Sequence, residues 1–571
     1  MVERASGPAV RNAQRVARAG RTGRTVGRLI ADALVDAGVE WAFTVPGESF
    51  LGVLDALPAA GVKVVATRHE GGAAFAAEAV GQLTGKPAAL LTTRAVGAGN
   101  MSIGIHTARA NSTPLVALVG QVKRDHLGRE AFQEVDQVGS FGRLAKWAGQ
   151  IDDPETAADV LGEGLSAMLS GRPGPILLSL PEDVLDAPVG PRVRAKLTIA
   201  APVPPDPDQV RQVVELLTSA QRPAILAGGG VVAARAQEAL VRFSETLEVP
   251  VFAAWRRPTV FPNDHDHYLG MTGYGAPKTV RPRLQAADAL LVLGCRLNEI
   301  ASFDYRIPGA RTRWAHVDLA PRSAALAGLR AATLSLAADA RAFLDAAAAV
   351  AATHTAPRDR GATLAADRQA YLDASTFAAD PDWRGPGVNP GRVIETLQRV
   401  LPADAILTTD AGNFGLWLAR GFRFGRQHGF LGPTSGAMGY GLPSALAASL
   451  CRPDRPVVAL CGDGGFGMTM NELETCVRSG AKPVVLVFDN RRYGTISMHQ
   501  ASEDRSQVAT ELGPIDFAAV ARACGAQGGR VTRDVEFEPA LRDALAAGRP
   551  AVLHLELDPR WVTPDRFAAV S

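Results

Sequence analysis

The chain has 571 residues, 47% hydrophobic and 21% charged, an ordinary globular balance for roughly three or four domains. A net charge of +2 gives no molecule-wide bias toward nucleic acid, and no run approaches the roughly 18 apolar residues of a membrane-spanning helix. The five cysteines form no CxxC pair, which predicts reduced thiols in a cytoplasmic protein rather than a disulfide framework.

Residues 1–24 hold Arg4, Arg11, Arg15, Arg18, Arg21 and Arg24 against a single acid, Glu3. No apolar core follows, so this is no secretory signal. The composition fits a solvated basic tail better than a targeting peptide or a nucleic-acid arm. A first domain is expected over 25–190. Short apolar runs such as "WAFTV", "PAALLTT", "PLVALVG" and "PILLSL" read as strands there. "RLIADALVDAG" and "EGGAAFAAEAVGQLTG" read as helices. Such alternation predicts a parallel sheet built from βαβ units.

The Pro-rich "APVPPDPD" at 201–208 reads as a linker. A central domain over 201–350 follows, with strands "PAILAGGG", "ALLVLGC" and "RWAHVDL". The Ala- and Thr-rich stretch 345–366 reads as a second linker. The last domain, 385–571, contains "AILTTD", "PVVALCGD", "KPVVLVFDN" and "PAVLHLEL". The expected fold class is α/β: three doubly wound domains with parallel sheets, the first and third alike in plan.

The chemistry concentrates in "CGDGGFGMTM". The apolar "PVVALC" ends at Gly462-Asp463-Gly464, a helical stretch follows, and a second strand ends at Asp489-Asn490. One βαβ unit would bring Asp463 and Asn490 to adjacent strand ends, where open α/β sheets bind ligands. Glycines at a helix start allow close approach to phosphate oxygens. A carboxylate, an amide oxygen and phosphate oxygens suit Mg²⁺. Each residue alone is more simply a turn or cap residue; the pairing across one βαβ favours a site. Two other features are weaker. "HDH" at 265–267 lacks metal-ligand spacing and reads as structural, and "GGGVV" from Gly228 is not GxGxxG, which disfavours a nucleotide-dependent oxidoreductase.

The stretch from Gly462 to Asn490 resembles the thiamine diphosphate signature, GDG followed by an Asn about 27 residues on. The resemblance implies that Asp463, Asn490 and the backbone carbonyl of Arg492 bind Mg²⁺. It further implies that Gly464, Gly465, Tyr493 and Gly494 approach the diphosphate. "DAGNF" at 410–414 resembles a further diphosphate-contacting turn, with Asn413 and Phe414. Gly436 and Met438 lie in "TSGAMGYG", where the family places an apolar wedge under the bent cofactor; on local grounds Met438 is also a common core filler. Glu70, in "TRHEGG", matches the Glu that hydrogen-bonds the pyrimidine ring. Its local alternative is an acid favoured at a helix N-terminus.

Nearly the whole chain from residue 25 is similar to acetolactate synthase large subunits. "AFQEVDQVGSFGRLAKWAGQI" places Phe132 and Gln133 toward the reacting centre, and "LGMTGYG" and "LGCRLNEIASFDY" match regions that hold FAD. The implied function is decarboxylation of a 2-keto acid and ligation of the remaining fragment to a second carbonyl, an aldehyde or another keto acid. A simple decarboxylase or aldehyde lyase is the alternative; a non-catalytic binding homologue is the alternative of another class. Glu70 of one chain would complete the site of another, in a homodimer or homotetramer. Several stretches depart from the family: "VPGESF" with Glu48 and Ser49, "RAVGAGN" with Arg94, and His499 where a Trp is usual. The flavin Arg is not evident near Ile300, which leaves FAD open. Arg94, His106 and His499 are candidates to bind carboxylate or move protons, or else a loop charge, a satisfied histidine and a helix-surface residue.

Overall fold

The computed structural model describes residues 24–201, 204–321, 330–353, 360–377 and 386–567. Almost all of the basic tail lies outside the described residues. Three six-stranded parallel sheets carry the fold. The first comprises β1 Trp41–Thr44, β2 Lys63–Ala66, β3 Ala88–Thr93, β4 Leu115–Gln121, β5 Trp147–Gln150 and β6 Pro175–Pro181, in the order β2-β1-β3-β4-β6-β5. Its inner strands are buried along their length, as "LVALVGQ" and "PILLSLP" require when helices cover both faces.

The central sheet comprises β7 Pro223–Ala227, β8 Val251–Ala253, β9 Tyr268–Met271, β10 Ala289–Leu293, β11 Arg313–Asp318 and β12 Leu334–Ala337. Its order, β12-β11-β10-β7-β8-β9, is the 3-2-1-4-5-6 arrangement of doubly wound folds read from the other edge. The third sheet comprises β13 Ile406–Thr409, β14 Gly429–Leu431, β15 Val457–Gly462, β16 Val484–Asp489, β17 Gln527–Val531 and β18 Ala551–Glu556. Its order, β14-β13-β15-β16-β18-β17, repeats that of the first sheet.

One expectation fails. Helices Ala340–Ala351 and Arg360–Ser375 occupy most of the stretch expected to be a second linker. Ala is the best helix former, and Phe343, Leu344, Leu364 and Tyr371 from these helices are buried in the central core. The Ala richness there marks packed helix.

The first and third domains share one core. Helix Glu70–Thr84, built of Gly and Ala along "EGGAAFAAEA", packs closely on helices Arg94–Asn111 and Gly441–Cys451. Buried Glu78 anchors that junction. Its carboxylate accepts from Tyr440 Oη at 2.6 Å, Asn111 Nδ2 at 2.8 Å and Thr113 Oγ1 at 2.8 Å. A fully satisfied buried carboxylate fixes the two domains in register rather than merely filling space.

Candidate active site

β15 pairs in parallel with β16, with Gly462 opposite Phe488. Asp463 and Asn490 therefore leave neighbouring strands at the same end of the sheet, as the βαβ reading expects. Asp463 opens helix Asp463–Thr469 as its first residue; Gly462 is the N-cap and makes no side-chain cap bond. The turn-residue account of Asp463 thus explains its backbone and not its side chain. That side chain is buried, and its Oδ2 has no hydrogen-bond partner among the described residues.

Burial, reinforced by the facing Asp489 carboxylate, pushes the Asp463 carboxyl well above the usual range. Asp489 goes the other way. Burial opposes its ionisation, but His554 Nε2 at 2.7 Å and the Arg491 N–H at 2.9 Å hold it below the usual carboxylate range. Two buried carboxylates, one with an orphaned oxygen, form a site that a cation would stabilise. Asn490 stands beside them, its Oδ1 accepting from the Arg492 N–H at 3.3 Å. Arg491 adopts φ +56°, which turns the chain sharply after the strand.

The glycines have a visible reason. A Cβ on Gly464 would stand 2.7 Å from Tyr493 Cε1, and one on Gly465 would collide with Asp410 Oδ2. The backbone can approach a ligand here because no side chain intervenes. These residues fit Mg²⁺ and a diphosphate by donor set and by space.

Asp463, Gly464, Gly465, Asn490 and Tyr493 line a cavity of about 350 Å³ together with Gly436, Met438, Asn413, Phe414, Arg492, Gly494 and His499. Met438 is half-buried in the wall. Its loop is held by Asp410, whose carboxylate accepts the N–H groups of Ala411 at 2.8 Å, Gly439 at 3.0 Å and Tyr440 at 3.4 Å. Asn413 accepts from Thr495 Oγ1 at 2.8 Å, which joins the 410–414 turn to helix Gly494–Ser502. Phe414 is largely buried and stacks on Phe488 at 5.4 Å, so it works mainly as wall.

Five expected residues do not line this cavity: Glu70, Arg94, His106, Phe132 and Gln133. Four of them form a second cluster at the C-terminal end of the first sheet, where the exposed Phe132 accepts from Arg94 Nη1 through its carbonyl at 3.3 Å. Glu70 begins its helix, and its Oε2 accepts from Asn100 Nδ2 at 2.9 Å. Arg94, at φ +40°, is buried and already engaged: Nη2 donates to Glu182 Oε2 at 3.1 Å, and Nη1 lies 3.3 Å from Glu48 Oε1. Gln133 adjoins it, its carbonyl accepting the Ala95 N–H at 3.1 Å, and its own Oε1 is buried without a partner. His106 is exposed on the following helix. The expectation of Arg94 as a free carboxylate binder meets a guanidinium already paired with two acids.

Sequence reasoning missed Asp489, His554, the positioning role of Asp410, and Arg256, which lines the cavity from the central domain. "FDN" and "DAG" sit beside motif residues and were available as signals; nothing local joins His554 or Arg256 to the site. "HDH" is structural: His265 Nε2 lies 3.0 Å from Glu245 Oε1, and His267 Nδ1 lies 2.8 Å from Ser244 Oγ. Among the described residues there is no helix long and apolar enough to cross a membrane.

Residues 24–140, 210–347 and 410–555 match the N-terminal TPP binding, central and C-terminal TPP binding domains of thiamine pyrophosphate enzymes. The chain is 31% identical to a probable acetolactate synthase large subunit of Methanocaldococcus jannaschii, over 94% of this chain and 92% of that protein. It is 31% identical to the large subunit of acetolactate synthase isozyme 2 of Escherichia coli, over 93% and 95%. It is also 28% identical to a sulfoacetaldehyde acetyltransferase of Alcaligenes xylosoxydans, over 91% and 90%.

Proposed function

From the premise that the chain belongs to the thiamine pyrophosphate enzymes, we propose that it decarboxylates a 2-keto acid with Mg²⁺ as second cofactor and joins the remaining fragment to a second carbonyl. The observation that carries this reading is the orphaned, buried Asp463 carboxylate beside Asn490 in a glycine-walled cavity. Asp463, Asn490 and the Arg492 carbonyl would ligate Mg²⁺. The backbone at Gly464, Gly465, Tyr493 and Gly494 would face the diphosphate, with Asn413 and Phe414 on the opposite wall. Met438 and Gly436 would support the rings. Thiamine diphosphate supplies, when bound, a carbon nucleophile and an electron sink next to the substrate carbonyl.

Glu70 would hold a proton on its carboxyl oxygen at the pyrimidine ring, oriented by Asn100. Since Glu70 does not line the cavity of its own chain, it would reach the cavity of a partner. The exposed apolar side chains Val96, Ile103, Met468 and Ile496 border the two clusters and support a homodimer, or a tetramer built from it. Gln133 and His499 are proposed to face the substrate. FAD in the central domain rests on the resemblance alone, and the absorbance spectrum of the purified protein decides it. The acetyltransferase relative favours a second reading, acyl transfer starting from an aldehyde.

Isothermal titration of the apo-protein with thiamine diphosphate plus Mg²⁺ tests the cofactor site. Saturable binding is expected, weakened at least about a hundredfold by Asp463→Ala, since loss of a mere outer-shell partner of a metal already costs roughly 10–100-fold. Equal binding by the variant overturns the metal role. A panel of 2-keto acids with and without aldehydes, scored for CO₂ and for ligated product together, separates ligase from decarboxylase and from acyl transfer.

A further inference from the structure

Trp255, Arg256 and Arg257 follow β8 in a turn where Arg256 takes φ +57°. Arg256 lines the cavity and is only 9% exposed. Its Nη2 donates to the Asp410 carbonyl oxygen at 3.0 Å, and its guanidinium carbon lies 4.9 Å from the Trp255 ring centroid. Its Nη1 is buried and has no hydrogen-bond partner among the described residues. The neighbouring Arg257 is satisfied differently, donating to the Arg256 carbonyl at 2.7 Å and to Asn111 Oδ1 at 2.9 Å.

Asp410 is the obvious counter-ion, yet its carboxylate is taken up by the N–H groups of Ala411, Gly439 and Tyr440, and only its backbone carbonyl meets Arg256. Burial lowers the Arg256 pKa to about 10 despite the nearby Asp410 charge. An unpaired charge so deep costs several kcal/mol by order of magnitude, so an anion entering the cavity would relieve it. Trp255, Met271 and Tyr274 surround Arg256 with largely apolar wall, unlike the glycine-rich Asp463 end. A guanidinium in such surroundings is a strong oxyanion receptor.

We propose that Arg256 binds an oxyanion on the substrate, a carboxylate or a phosphate, distinct from the carboxylate lost as CO₂. A cation on the departing carboxylate would stabilise the ground state more than the transition state and slow the step. The preferred substrate is therefore a 2-keto acid with a second anionic group, or an aldehyde that carries one anionic group. This rests on the cavity being the thiamine diphosphate site.

Protein loaded with thiamine diphosphate and Mg²⁺ is titrated calorimetrically with glutarate, methyl phosphate and neutral glutaramide. Wild type is expected to bind one of the anions at least about tenfold more tightly than glutaramide, as for one charge-assisted contact. The tighter anion identifies carboxylate or phosphate. Arg256→Gln removes that preference and Arg256→Lys keeps part of it, while the apo-protein's affinity for thiamine diphosphate is unchanged. Circular dichroism shows that each variant is folded. No preference in wild type, or an equal preference in Arg256→Gln, overturns the proposal. So does a tenfold loss of thiamine diphosphate affinity in Arg256→Gln, which would assign the guanidinium to the diphosphate. If wild type binds no thiamine diphosphate, the cofactor reading fails, and the same titrations on the unloaded protein still decide Arg256.

Discussion

Asp410 shows how one buried acid shapes the site without standing in its chemistry. Three N–H donors partly offset its burial, but burial dominates and its pKa rises from 3.8 to about 6. The folded value exceeds the unfolded one, so the folded state binds the proton more tightly. The resulting stabilisation is complete below about pH 4 and is lost as pH rises through about 6. Between pH 5 and 7 it should fall by roughly 1 kcal/mol. Asp410→Asn lacks this component, whatever constant offset its altered hydrogen bonds add. Unfolding free energies of wild type and variant, measured from pH 5 to 7, should therefore converge or cross in the variant's favour as pH rises. Parallel curves would show that Asp410 titrates at its unfolded value.

At the scale of elements, close helix packing positions Glu70. A Cβ on Gly104 would collide with Ala74 Cβ, so helices Arg94–Asn111 and Glu70–Thr84 touch where neither carries bulk. Gly104→Ala must push them apart, and overpacking of this kind costs about 1–3 kcal/mol. A lowered denaturation midpoint is expected, with turnover reduced because Asn100 moves relative to Glu70. Unchanged stability would mean that the contact relaxes freely. Elements also explain what was legible in the sequence. β4, β6, β15 and β16 announce themselves as apolar runs because helices bury both their faces. β5, β14 and β17 went unread: "WAGQ", "GFL" and "QGGRV" are short, half-exposed edge strands that need no such run. Asp463 and Asn490 were legible because one local βαβ unit joins them. Arg256 was not, because only the packing of two domains brings it to Asp410, 154 positions away.

At the scale of the molecule, the first and third sheets share one strand order, and each carries a cluster of proposed site residues at its C-terminal end. Within a chain the two domains meet through helices Glu70–Thr84 and Gly441–Cys451, locked by Glu78 and Tyr440. That contact leaves Glu70 beside Asn100 and outside the Asp463 cavity. If these clusters are halves of a site supplied by different chains, variants lacking different halves must rescue one another. Glu70→Gln and Asp463→Ala homodimers should each be nearly inactive, the first still binding cofactor. Unfolded together and refolded at equal amounts, they assort at random. Half of the dimers are then mixed, and each mixed dimer has one site with both defects and one with neither. Activity should recover to about a quarter of wild type by this symmetry argument. Co-refolded samples that stay inactive, although mixed dimers are shown by differential tagging, would place Glu70 and Asp463 in a site within one chain and require the two domains to rearrange around Glu78.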